Sequence, residues 1–106
     1  MTIDKALIQQ KFTEDRRLVI LRFLEEDPDY RMNTSLMRDA LDVAGHRVSR
    51  DVLMADAAWL QDCGLLAMTE MGGITLLRLT ERGADVATGR TVVPGVKRPS
   101  PKSPGV

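Results

Sequence analysis

The sequence has almost no cysteine, histidine or aromatic side chains, and each shortage closes off a class of function. One cysteine, Cys63, cannot form an internal disulfide, so burial rather than cross-linking has to hold the fold. One histidine, His46, with that one cysteine falls short of a closed zinc site. Cys63 also falls in the last turn of an expected helix, where the negative end of the dipole disfavours the thiolate that a nucleophile needs. With no constellation of acid, base and nucleophile left, the sequence argues against an enzyme and calls for no cofactor and no metal. Long apolar runs are missing too. No stretch approaches the length of a membrane span, and Met1-Thr2-Ile3-Asp4-Lys5 lacks a basic start followed by an apolar run, so a cytoplasmic protein with no membrane partner is expected.

Net charge is also absent, but only as a sum: fifteen basic and fifteen acidic side chains cancel. Residues 1–88 hold eleven basic and all fifteen acidic side chains, whereas residues 89–106 hold four basic and none acidic. An acidic body therefore carries a basic end. A chain of 106 residues is enough for one domain with a modest core.

The segment from Gly45 to Leu66 organises the rest. Val48 and Ser49 supply an apolar residue and an N-cap hydroxyl, Asp51 puts a carboxylate in the first turn, and Gly64 supplies a left-handed stop. Between them Leu53, Ala57 and Leu60 recur at helical spacing and must face a core. That leaves Arg50, Asp51, Val52, Met54, Ala55 and Asp56 outward, a face with two carboxylates and an apolar strip. A preceding helix starts at a cap near Asn33, carries Met37, Leu41 and Ala44, and ends at Gly45. The two helices meet through Gly45-His46-Arg47-Val48, a short turn containing glycine.

Two apolar runs follow, split by Gly72-Gly73, a hairpin signal. A two-residue turn there sets Leu66 opposite Leu79 and Met68 opposite Leu77 on one face, and Ala67 opposite Arg78 and Thr69 opposite Leu76 on the other. Upstream, residues 4–12 form a short helical segment with Leu7, Ile8 and Phe12 on an apolar edge that needs a partner, which suits a homodimer. Thr13 with Glu14 and Asp15 reads as the cap of a second helix. Its residues Leu18, Val19, Ile20, Leu21, Phe23 and Leu24 are apolar over most of the circumference up to Asp27-Pro28. Tyr30-Arg31-Met32 reads as extended. Thr80 to Gly89 reads as a last helix packing through Ala84, Val86 and Ala87. Pro94, Pro99, Pro101 and Pro104, interleaved with Gly, Ser, Lys and Arg, read as a flexible tail unable to bury apolar area.

These elements predict a mainly helical α+β fold, a winged helix-turn-helix with a three-helix core, a two-stranded wing and a short C-terminal helix. The expected divisions are an N-terminal helical segment over 1–12, the winged domain over 13–89 and the tail over 90–106. Trp59 reads as the lid of the small core rather than as a contact residue.

Over about residues 14–100 the chain resembles the small winged-helix proteins of Mu-like phages and prophages, often grouped with ArsR-type regulators. The resemblance rests on Arg17-Leu18-Val19-Ile20-Leu21-Arg22-Phe23-Leu24, Gly45-His46-Arg47-Val48-Ser49-Arg50-Asp51 and Trp59-Leu60-Gln61-Asp62-Cys63-Gly64-Leu65. Leu79-Thr80-Glu81-Arg82-Gly83 and Val93-Pro94-Gly95-Val96-Lys97-Arg98-Pro99 complete it. The middle pieces occur in many bacterial winged helices, and the last is narrower. The resemblance implies a transcriptional regulator in the cytoplasm of a bacterial host. The helix from Ser49 would enter the major groove of double-stranded DNA, and the wing would touch phosphates or the minor groove.

The expected DNA contacts are Arg47, Ser49, Arg50 and Met54, with Arg78 on the ribbon and Arg90, Lys97, Arg98 and Lys102 in the tail. A rival expectation is an adaptor that binds a phage or host protein. It would present Val52, Met54 and Ala55, with Leu7, Ile8 and Phe12 as a further contact.

Overall fold

A single long helix is the spine of the molecule. In the computed structural model, which describes residues 2–101, α1 runs Lys5–Glu26 without a break. Asp4 caps it, its carboxylate accepting from the Leu7 amide at 3.0 Å. The expected start at Thr13 is therefore not a start. Thr-Glu-Asp suits a first turn, but all three residues also tolerate a helix interior, and the Asp4 cap lies nine residues earlier. One face of α1 buries Leu18, Ile20, Leu21 and Leu24.

The remaining elements are β1 Arg31–Asn33, α2 Thr34–Val43, α3 Arg50–Asp62, β2 Leu66–Met71, β3 Ile74–Leu79 and α4 Glu81–Ala87. The Asn33, Ser49 and Thr80 side chains cap α2, α3 and α4 by accepting from the Leu36, Val52 and Gly83 amides. The three strands form one antiparallel sheet in the order β1-β3-β2. In it Leu66 pairs with Leu79, Ala67 with Arg78, Met68 with Leu77 and Thr69 with Leu76. Gly72 and Gly73 both take positive φ, +59 and +81, the backbone a primed two-residue hairpin turn demands. β1 adds Arg31 opposite Arg78 on the outer edge of the ribbon. This order and pairing make a winged helix-turn-helix, α+β and mainly helical, with the wing widened to three strands.

The core joins all the layers: Leu53, Ala57 and Leu60 of α3 are buried with Met37 and Leu41 of α2, the α1 leucines, Leu65, and Leu66, Leu77 and Leu79 of the sheet. Each fully buried leucine contributes about 2 kcal/mol of transfer free energy. α4 docks through Val86 and Ala87, with Ala84 partly buried. Ala44, expected on the inner face of α2, is exposed, because α2 ends at Val43 and the chain is already turning. Among the described residues no helix is long and apolar enough to cross a membrane.

The segment after α4 departs most from expectation. Val93 and Val96 are only 8% and 6% exposed and join the core. Gly95, at φ +97, lies so close to Trp59 that an added Cβ would sit 2.6 Å from the indole. The Lys97 amide donates to the Glu14 carbonyl, and Arg17 reaches the Gly95 carbonyl at 3.2 Å. Prolines rigidify this strap rather than free it, and two valines three residues apart supply the apolar area the composition concealed. Trp59 is half-buried, stacked between this strap and Arg17, whose guanidinium lies 3.9 Å from the ring centroid.

Candidate nucleic-acid interface

Two helix N-termini and the wing meet at one cleft. The turn Gly45–Ser49 brings the start of α3 beside the start of α2, and the hairpin lays Gly73, Ile74 and Thr75 across from them. The cleft has a volume of about 710 Å³ and is lined by Asn33, Thr34 and Ser35 of α2 and by Val48 and Arg50 at the head of α3. Three guanidiniums border it, those of Arg38, Arg47 and Arg50, together with the carboxylates of Asp39 and Asp42. All three arginines are exposed, and none makes an ion pair among the described residues. The positive dipole ends of two helices add to them and favour negative charge in the cleft.

The outward face of α3 differs from expectation in one important residue. Asp56 is 3% exposed, turned inward against α1, where Arg16 Nε donates to its Oδ2 at 2.5 Å and Arg17 Nε to its Oδ1 at 3.1 Å. Its partners lie some 40 residues earlier in the chain, so tertiary docking alone reveals the pairing. Only Asp51 remains as a carboxylate on the outer surface of the first two turns, beside exposed Val52 and Ala55 and half-buried Met54. Ser49 is exposed and engaged as the cap.

The other expected contacts are scattered. Arg78 projects from the solvent side of β3 opposite Arg31, so the two cations stand as direct cross-strand neighbours. Lys97 is held at 3.4 Å from Asp15. Arg98 borders a separate groove with Glu25 and Glu26, and the Arg90 amide bonds to the Asp85 carbonyl just past α4. Lys102 lies outside the described residues. The structure therefore joins Arg47 and Arg50 at one site but does not bring Arg90, Lys97 or Arg98 there. Sequence reasoning missed Arg38, Ser35 and Arg31. Arg38 had a signal: with Met37 and Leu41 inward, position 38 must face out beside the Asn33 cap.

Behind the turn, His46 Nε2 and Asp15 Oδ2 lie 2.6 Å apart. Burial pushes the Asp15 carboxyl up, but hydrogen bonds from His46 and Lys97 and their charges outweigh it and hold the group below its ordinary value. Among the described residues no group of three potential metal ligands forms.

No protein-family profile matches the chain, and no solved structure matches it. It is 37% identical over 75 residues to an uncharacterized protein of Haemophilus influenzae, covering 70% of this chain and 72% of the relative. It is 46% identical over 97 residues to the uncharacterized protein gp26 of Escherichia phage Mu, covering 92% of this chain and all of the phage protein. Similarity of that extent and coverage carries a phage origin with it, and the chain belongs to the protein family of phage Mu gp26.

Proposed function

We propose that this protein binds double-stranded DNA and acts as a transcriptional regulator of a Mu-like phage in the cytoplasm of its bacterial host. The observation that carries this reading is the cleft where Arg38, Arg47 and Arg50, without an ion-pair partner among the described residues, stand between two helix N-termini and the wing. α3 would lie in the major groove with Arg50 aimed at a guanine edge, while Arg47 and Arg38 neutralise phosphates on either side. The inward turn of Asp56 supports this, since it takes one of the two expected carboxylates away from the phosphates. A mobility shift at low salt with the phage's own upstream DNA tests the proposal. With four phosphates neutralised, by these three arginines and Arg78, log affinity should fall against log salt with a slope of roughly −3.5. No shift at low salt rejects it.

A second reading has its own observation. Leu36, Val52 and Ile74, exposed at 53%, 38% and 59%, are apolar side chains on the same elements that frame the cleft. They suit an adaptor that docks a phage or host protein there. Under that reading Val52→Asp abolishes partner capture while Arg50→Ala does not.

A further inference from the structure

α1 is apolar on two sides. Its inner side holds Leu18, Ile20, Leu21 and Leu24, and its outer side carries Ile8, Phe12, Val19 and Phe23 in a second stripe. At 100° per residue these four lie within about 60° of one another, on the side opposite the buried leucines, with Val19 and Phe23 also packed in part against the core. Ile8 and Phe12 are 42% and 61% exposed, and Val19 and Phe23 are half-buried. Val19, Arg22, Phe23 and Glu26 ring a depression of about 200 Å³ that among the described residues only α1 lines, at spacing i, i+3, i+4, i+7. That spacing makes the four-residue hole into which a facing helix inserts a knob.

We infer that the occupant is a second copy of this chain, its α1 laid antiparallel along the first. The stripe reads the same in both directions. Its spacing of four, seven and four residues is symmetric about the midpoint between Asp15 and Arg16, so an antiparallel copy sets Ile8 in the hole at Phe23 and Phe12 on Val19. The ends agree as well: Lys5 and Glu26 continue the stripe at either extremity, and the same register sets each Lys5 against the partner's Glu26. A parallel pair would instead put Lys5 beside Lys5 and Glu26 beside Glu26. The contact is isologous, as a two-fold dimer requires. It would also cover part of the first two turns of α1, whose side chains are exposed on every side. Leu7 is excluded: it lies about 100° around the helix from Ile8, off the stripe.

The full-length protein at rising concentration in sedimentation equilibrium provides the test. The wild type is a dimer, Phe12→Asp weakens association by about 30-fold or more with an unchanged thermal melt of the monomer, and Leu7→Asp stays dimeric. In a Cys63→Ser background, Lys5→Cys mixed with Glu26→Cys gives the crossed disulfide, whereas neither variant alone cross-links to itself. A monomeric wild type, a Phe12→Asp variant that dimerises as tightly as wild type, or Lys5→Cys cross-linking to its own kind would each overturn the inference. None of these outcomes involves DNA, so the proposed DNA binding is judged separately.

Discussion

Two groups of arginines divide the labour of this small domain. Arg16 and Arg17 lie at the centre of α1, 11% and 18% exposed, and share one buried carboxylate, Asp56. Arg38, Arg47 and Arg50 border the open cleft, exposed and without an ion-pair partner among the described residues. The first group is satisfied within the fold and has little left to offer a ligand. The second keeps its hydrogen-bonding capacity for something outside. Guanidinium chemistry is the same in both, so the placement of carboxylates decides which arginines hold the structure and which are available.

The widest separation between the groups comes from removing the shared carboxylate. Asp56→Ala leaves two mostly buried guanidiniums without their partner, and uncompensated buried charge of this kind costs about 3 kcal/mol even with some access to water. For a domain of this size that lowers Tm by more than about 10 °C, measurable by circular dichroism. Arg17 would keep its stacking on Trp59 and its bond to the Gly95 carbonyl, so the strap over residues 93–97 loosens rather than detaches. An unchanged Tm would show that the Arg16–Arg17–Asp56 cluster is not structural, and the contrast between the two groups would collapse.

The cleft arginines invert that result. Arg50→Ala changes stability by no more than about 0.5 kcal/mol, because an exposed and unpaired side chain leaves nothing unsatisfied behind it. Under the proposed DNA binding, Arg50→Ala should lower affinity for the preferred sequence about tenfold and relax base preference, while Arg47→Ala weakens all sequences alike. A mobility shift on matched and scrambled sequences reads both. Equal loss on every sequence for Arg50→Ala would demote it from reading bases to anchoring phosphates.

Part of this contrast was legible in the sequence and part was not. Caps at Asn33, Ser49 and Thr80, the inner stripe of α3 and the full register of the hairpin are local properties, set by spacing within about fifteen residues, and each is where the sequence puts it. Arg47 and Arg50 were visible for the same reason. Asp56 was not, because a carboxylate beside Leu53 and Leu60 turns inward only if a cation waits there, and its cations are on another helix. Two adjacent arginines directly before the apolar run Leu18–Leu21 were the missed clue, since cations beside a buried face take up an inward-facing acid. The strap was misread for a different reason: four prolines and four cations dominate the composition after residue 88, whereas among the described residues the apolar burial comes from Val93 and Val96.

Between the two groups sits Asp15, and it supplies the smallest effect. It receives Lys97 from the strap and His46 from the turn that leads to Arg47, so one carboxylate ties both to α1. Its folded value is held below the ordinary 3.8, chiefly because hydrogen bonds from His46 and Lys97 overcome the upward push of burial. A carboxyl depressed on folding stabilises the native state at pH values above its unfolded pKa. That stabilisation is lost as pH falls through the folded value. Melting curves should therefore lose stability as pH drops below about 4, and Asp15→Asn should remove this share of the acid sensitivity while lowering Tm only slightly at pH 7. Because the carboxylate is partly open to water, salt should weaken its hold on Lys97. If Asp15→Asn leaves the acid limb of the stability curve unchanged, the tie between strap, turn and α1 carries no free energy, and the cleft arginines are positioned by the Ser49 cap and the inner face of α3 alone.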